Sequence, residues 1–150
     1  MDLILWRHAE AGDGLPDLER RLTPRGQKHA ARMAEWLLRR LPAKFVVLAS
    51  PALRAQETAQ ALGVAFRTVR GLAPGASVQA VLEAAEWPER KAAVVVVGHQ
   101  PDLGRVVLHL VAGAAGDGTI KKGGLWWLTN RVRNDETQVV VRAVAAPDLL

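Results

Sequence analysis

Cysteine is absent from the chain, which excludes disulfides and thiolate chemistry. Histidine is scarce. The four copies, His8, His29, His99 and His109, are scattered, and no pair has metal-ligand spacing such as His-Glu-x-x-His. No apolar run approaches the ~20 residues that a membrane helix needs. The segment Met1-Asp2-Leu3-Ile4-Leu5-Trp6-Arg7 has an acid before a short apolar run and no cleavage-site pattern, so it reads as a buried strand rather than a signal peptide. Repeats and low-complexity linkers are also missing. What remains is a chain of 150 residues, 49% of them hydrophobic, expected to form one domain over 1–150 around a single core. A cytoplasmic location is the simplest expectation.

The charge balance is basic, with 20 Lys and Arg against 15 Asp and Glu. Such a surface is either a solvated one or an attraction to an anionic partner. The basic residues form no long block and no nucleic-acid-binding motif is present, so neither nucleic acid nor a membrane is expected as partner. A phosphorylated substrate would use the same charge.

Apolar runs alternate with amphipathic stretches. Leu3–Trp6, Phe45–Ala49 and the β-branched Ala92–Val97 read as buried strands, and Val64–Val69 as a short one. Pro24–Leu41 reads as a helix with Thr23 as N-cap, and Ser50-Pro51 repeats that signal for a helix to about Leu62. Val78–Ala85 suggests a helix ended by Pro88, and Pro101 opens another that Gly113 stops. Leu125–Thr129 and Thr137–Val144 look like two closing strands. Gly12–Arg21 and Gly113–Gly124 read as loops, the first polar and mobile-looking. The alternation predicts a three-layer α/β/α sandwich with a mostly parallel central sheet.

In such sheets ligands bind outside the carboxyl ends of the strands. Three segments qualify: Arg7-His8, Ser50–Arg54 and Gly98-His99-Gln100. Two arginines and two histidines converging there would form an anion site, because guanidinium forks match phosphate oxygens and stay charged. A neutral imidazole in that site can also attack phosphorus, giving a phosphohistidine.

These residues resemble the histidine phosphatase, or phosphoglycerate mutase-like, superfamily. Leu3–Ala11 is similar to its Arg-His-Gly signature, with Ala9 in place of the usual glycine. Leu22-Thr23-Pro24-Arg25-Gly26 is similar to its Leu-Thr-x-x-Gly helix start, and Ser50–Ala59 to its Ser-Pro-x-x-Arg-Ala-x-x-Thr-Ala element. Val95–Pro101 is similar to its Val-x-His element. The resemblance implies His8 as nucleophile, Arg7 and Arg54 as phosphoryl clamps, and His99 as hydrogen-bond donor to a phosphoryl oxygen. It implies no metal and no organic cofactor. Asp17-x-x-Arg20-x-Leu22-Thr23 also resembles the short bacterial phosphohistidine phosphatases (SixA-like), which implies Arg20 as a substrate-binding residue.

Other residues read more plainly. His29 is a boundary residue of its helix, and His109 shares a surface stripe with Asp102 and Arg105. Trp126 and Trp127 should pack on opposite faces of a strand, and Lys121-Lys122-Gly123-Gly124 is a solvated turn or a basic rim. Glu57 pairs with Arg54 or with nothing.

Three functions stay open: a phosphatase for phosphohistidine on a protein, a phosphatase or mutase for a small phosphorylated metabolite, and a non-catalytic phosphate-binding domain. The intact set Arg7, His8, Arg54 and His99 weighs against the third. The chain has little spare length for a pocket cap, which favours a substrate presented on another protein. The stretch Arg70–Gly75, where phosphoester-cleaving relatives often carry an acidic glutamate, has no carboxylate, leaving Glu10, Asp17 and Glu57 as possible acids.

Overall fold

In the computed structural model, which describes residues 1–150, four consecutive apolar residues near the N-terminus form the centre of the sheet. They lie in strand β1 (Asp2–Arg7), where Leu3, Ile4, Leu5 and Trp6 are all fully buried. Helix α1 (Pro24–Leu38), strand β2 (Phe45–Ala49), helix α2 (Leu53–Gln60) and strand β3 (Arg67–Thr68) follow. Helix α3 (Val78–Ala85), strand β4 (Ala93–Gly98), helix α4 (Asp102–Ala112) and the hairpin β5 (Leu125–Arg133) and β6 (Glu136–Ala145) complete the order.

The six strands form one sheet in the order β3-β2-β4-β1-β5-β6. The first four are mutually parallel, and β5 and β6 join antiparallel beside β1. Alternation along each strand divides the core in two. Ile4, Trp6, Val47, Val95 and Trp127 pack under α1 and α2, and Leu3, Leu5, Leu48, Val94, Val96 and Leu128 under α3 and α4. Trp126 and Trp127 therefore do face opposite layers. No helix is long and apolar enough to cross a membrane.

Several boundaries differ from the sequence expectation. Thr23 caps α1 by accepting from the Gly26 N–H at 2.9 Å, but the helix ends at Leu38 rather than Leu41. Arg40 and Leu41 close a last turn on the Leu37 carbonyl, and Pro42 disfavours helical backbone before it. Helix α3 stops at Glu86, whose left-handed φ of 55° lets the Trp87 N–H reach the Leu82 carbonyl before Pro88 is met. Ser50 does not cap α2. Its hydroxyl accepts from Ala52, two residues on, and the helix begins only at Leu53.

Two glycines are required by close backbone approach. A Cβ on Gly26 would lie 2.0 Å from the Glu10 carbonyl oxygen, so the first turn of α1 packs directly on the segment that follows His8. A Cβ on Gly104 would lie 1.6 Å from the Gly118 oxygen, where the loop after α4 folds back.

Candidate active site

Because β4 lies between β2 and β1, the carboxyl ends of the three strands are adjacent. Arg7 is in register with Gly98, and Ala49 with Val97. The ladder continues one residue further: the His8 N–H donates to Gly98 O and the Ser50 N–H to Val97 O, each at 3.0 Å. Arg7, His8, Arg54 and His99 are thereby brought to one point, as the sequence predicts.

His8 is 9% exposed. Its Nδ1 lies 2.7 Å from the Ala9 carbonyl, which can only accept, so Nδ1 carries the proton and Nε2 keeps its lone pair. The Arg54 Nε–H approaches that lone pair at 3.3 Å. Burial, together with the positive charges of Arg54, Arg7 and Arg20, pushes the ring down to about 4 against the pull of the Ala9 carbonyl. The imidazole is therefore neutral at physiological pH.

His99 is also buried, its ring centroid 5.2 Å from that of His8. Burial, then His8 and Arg54, push it down to about 3. Its Nε2 lies 2.7 Å from Ser50 Oγ, and Arg54 Nη2 stands 3.5 Å from its Nδ1. Arg54 projects from the first turn of α2 and is 4% exposed. Its Nη1 donates to Asp17 O at 2.8 Å and its Nη2 to Asp17 Oδ2 at 3.2 Å. Arg7 donates through Nη1 to Ile120 O at 2.6 Å, while its buried Nε has no partner.

Arg20 stands one step away. Its Nε donates to Asp17 Oδ1 and its Nη1 to Gly12 O, both at 3.1 Å, so it joins Arg54 through the Asp17 carboxylate. Burial alone would raise the Asp17 carboxyl, but Arg54 and Arg20 hold it below the usual carboxylate range. The segment read as a mobile loop is thus anchored to the site by an ion pair.

The chain as a whole is similar to known proteins. Residues 3–73 match the profile of the histidine phosphatase superfamily (branch 1). An uncharacterized protein of Picosynechococcus sp. is 36% identical over 140 residues, covering 83% of this chain and 82% of its own. A structure of the protein histidine phosphatase SixA complexed with tungstate superposes with TM-score 0.83 at 25% identity, over 99% of each chain. A SixA structure from Nakamurella multipartitia gives 0.81 at 27% identity, over 97% of this chain and 95% of that one.

The chain belongs to the histidine phosphatase superfamily.

In this histidine phosphatase the three candidate acids separate clearly. Glu10 takes a hydrogen bond from Thr23 Oγ1 at 2.9 Å. Glu57 accepts from the Leu22 N–H at 2.9 Å and lies 3.7 Å from Arg21, not on Arg54 as its spacing suggests. Asp17 is the one carboxylate that contacts an arginine of the site. His29 is half-buried and His109 exposed, as read from their helices. Asp102 is not on the surface stripe with His109. It is 2% exposed and accepts from the Gly75 and Ala76 N–H groups at 2.9 and 3.1 Å, tying the 73–77 loop to the start of α4.

Two supporting residues were not assigned roles at the site from the sequence. Thr58 receives the Ala9 N–H at 3.1 Å and donates to the Arg54 carbonyl at 2.8 Å, fastening the His8 segment to α2. Ser50 holds the His99 ring. Both lie inside the Ser-Pro-x-x-Arg-Ala-x-x-Thr-Ala element, and that placement is the only signal the sequence offers for them.

Proposed function

We propose that this phosphatase hydrolyses phosphohistidine on proteins through a covalent phosphohistidine on its own His8. The observation that carries the reading is the neutral His8 ring, with its proton fixed on Nδ1 by Ala9 O and its Nε2 lone pair facing Arg54. Tungstate, a tetrahedral oxyanion, bound in a SixA relative, supports a phosphoryl-sized site.

Nε2 of His8 attacks phosphorus while the bond from phosphorus to the substrate imidazole nitrogen breaks. The leaving nitrogen takes a proton from solvent. Water then attacks the phosphoryl group on His8, releasing inorganic phosphate and restoring the neutral ring with net proton balance through water. Arg7 and Arg54 neutralise charge on the equatorial oxygens, and His99 donates to one of them. Arg20 helps to bind the phosphorylated substrate through the Asp17 network. On this reading Arg7 and Arg54 supply the charge stabilisation that a metal supplies in other phosphatases, so turnover is expected without one.

The choice of phosphohistidine over an alkyl ester rests on Asp17. The carboxylate nearest the site is held ionised by two arginines, so it is a poor proton donor. An alkoxide leaving group needs such a donor, which typically contributes roughly 10²–10⁴-fold. Imidazole leaves readily, since its conjugate acid has a pKa near ~6.5. Steady-state rates on phosphohistidine, an aryl phosphate and phosphoserine test the reading, and the expected order of kcat/KM is that one. A preference for phosphoserine would overturn it.

A further inference from the structure

The basic residues that form no block in the sequence form one on the surface. Arg25, Lys28, Arg32, Arg39 and Arg40 are all exposed along α1 and its last turn, and they recur at three- and four-residue spacing. At 100° per residue they fall, with the half-exposed His29 and Trp36, within about a 120° arc. The buried positions Gly26, Ala30, Met33, Ala34 and Leu37 occupy the other side. Arg25, Lys28 and Arg32 have no carboxylate within ion-pair distance, and Glu35 at the edge of the arc pairs with Arg39 at 2.6 Å. Like charges at this spacing destabilise a helix, so the stripe is not there for the helix itself.

Helix α3, in the opposite layer, carries the opposite sign. Glu83, Glu86 and Glu89 are exposed on α3 and the turn after it. The basic face also connects to the mouth of the active site. The C-terminal turn Pro147–Leu149 packs on α1, Lys121 Nζ reaches Asp148 at 2.9 Å, and the Gly123 N–H donates to the His8 carbonyl at 3.0 Å. Lys121 and Lys122, both exposed, thus bridge the site and the helix. Within the stripe, Arg40 stacks on Trp36 at 4.5 Å, beside a groove lined by Arg32, Glu35, Arg39 and Leu150 that offers an apolar foothold.

We infer that the α1 face, with Lys121 and Lys122, is the docking surface for the acidic flank of the phosphorylated protein whose phosphohistidine enters the site. This inference rests on the phosphohistidine reading above. The stripe from Arg25 to Arg40 is about 22 Å long at 1.5 Å per residue, matching a run of carboxylates on one side of a protein substrate rather than a single small anion. Charge complementarity of this kind acts mainly on encounter and orientation, so it should appear in kcat/KM and in its salt dependence.

The test uses free phosphohistidine and two synthetic phosphohistidine peptides of equal length, one flanked on both sides by glutamates and one by glutamines. The enzymes are wild type, the triple variant Arg25→Glu, Arg32→Glu, Arg39→Glu, and the milder Arg25→Gln, Arg32→Gln, Arg39→Gln. Wild type should prefer the glutamate peptide by roughly tenfold or more at low salt, and the preference should vanish near ~0.5 M salt. The glutamine variant should lose part of it and the glutamate variant all of it, while turnover of free phosphohistidine is unchanged in both. Equal rates on the two peptides, or a preference that survives in the triple variant, overturns the proposal. Fluorescence anisotropy with labelled, unphosphorylated glutamate peptide reads docking without catalysis. If wild type fails on free phosphohistidine, the phosphatase reading falls and the anisotropy still decides the surface. Displacement of that peptide by a short RNA at far lower concentration would mark a nucleic-acid face and refute the proposal.

Discussion

Replacing Ser50 by alanine should disable His99 without touching Arg7 and Arg54, the arginines proposed to bind the phosphoryl group. Ser50 is fully buried, and its Oγ already accepts from the Ala52 N–H at 3.1 Å. The hydroxyl proton points to His99 Nε2, 2.7 Å away. That accounting places the His99 proton on Nδ1, where it and the Arg54 Nη2 group, 3.5 Å away, are two donors facing each other without an acceptor between them, an arrangement that a bound anion would relieve. A ring protonated there can donate to a phosphoryl oxygen once substrate enters between it and the guanidinium. Ser50→Ala removes the partner that fixes this tautomer and leaves a buried ring nitrogen unpaired. Such a loss costs about 1–3 kcal/mol. If it falls wholly on the transition state it is roughly 5- to 150-fold in kcat, bounded above by the ~10²–10³-fold cost of losing a donor outright.

The assay is kcat and KM on free phosphohistidine, alongside ¹⁵N chemical shifts of the His99 ring. The expected result is a fall in kcat with KM little changed. The wild-type ring should be neutral with its proton on Nδ1, and the variant ring should shift toward the Nε2–H form. A thermal melt separates this from unfolding. Wild-type kcat in Ser50→Ala, or a wild-type ring already protonated on Nε2, would refute the reasoning.

His8→Ala should abolish turnover and leave the fold intact, and brief reaction of wild type with labelled substrate should give an acid-labile, base-stable adduct on His8. Arg54→Ala should cost about 10²–10³-fold in kcat, whereas His29→Ala and His109→Ala, outside the site, should be near neutral; equal losses in all three would place the pocket elsewhere. Exhaustive chelation should leave activity unchanged, and recovery on adding back a divalent ion would count against the mechanism. In the folded chain His8 titrates near about 4 and His99 near about 3, both below the ordinary value of 6.5. The unfolded chain therefore binds more protons between those values, so their linked stability is complete above about 6.5 and is lost as pH falls toward 4 and then 3. Chemical denaturation at pH 7, 5.5 and 4.5 should show that decline, and flat stability across the range would contradict it.

The convergence of the proposed catalytic set was legible because it needs only the strand-end rule. Arg7-His8, Arg54 and His99 each follow a run that reads plainly as a buried strand, and any parallel arrangement brings such ends to one edge. The insertion of β4 between β2 and β1 was not legible, since it depends on pairings remote in the chain. The supporting residues were hidden for a different reason: local patterns are degenerate. Ser50-Pro51 carries the same signal as Thr23-Pro24, yet the first hydroxyl turns to His99 while the second caps a helix. Asp102 has helical spacing to Arg105 and His109, but at the first position of α4 it turns inward to the Gly75 and Ala76 amides. Glu57 is one turn from Arg54 and still bonds across to Leu22. In each case a tertiary partner outweighs the local preference.

Two demands on the site conflict, and one set of residues meets both. On the proposed mechanism the nucleophile must keep its lone pair, so His8 must stay neutral, while the site must attract a phosphoryl group of high negative charge. Burial is the main force against protonation of His8, and the positive field of Arg54, Arg7 and Arg20, which would attract the anion, acts in the same direction. Holding these guanidinium groups close together without substrate is unfavourable. Asp17 relieves this by bridging Arg54 and Arg20 with one carboxylate. An arriving phosphoryl group offers Arg54 a stronger, bidentate partner, so the Asp17 contact is the one most readily exchanged. The loop that carries Asp17 also exposes Leu15 and Leu18 beside it. On the proposed mechanism, substrate that takes Arg54 from the Asp17 carboxylate would release one of the contacts that hold this segment, leaving the Arg20 pair and the Arg54 bond to the Asp17 carbonyl.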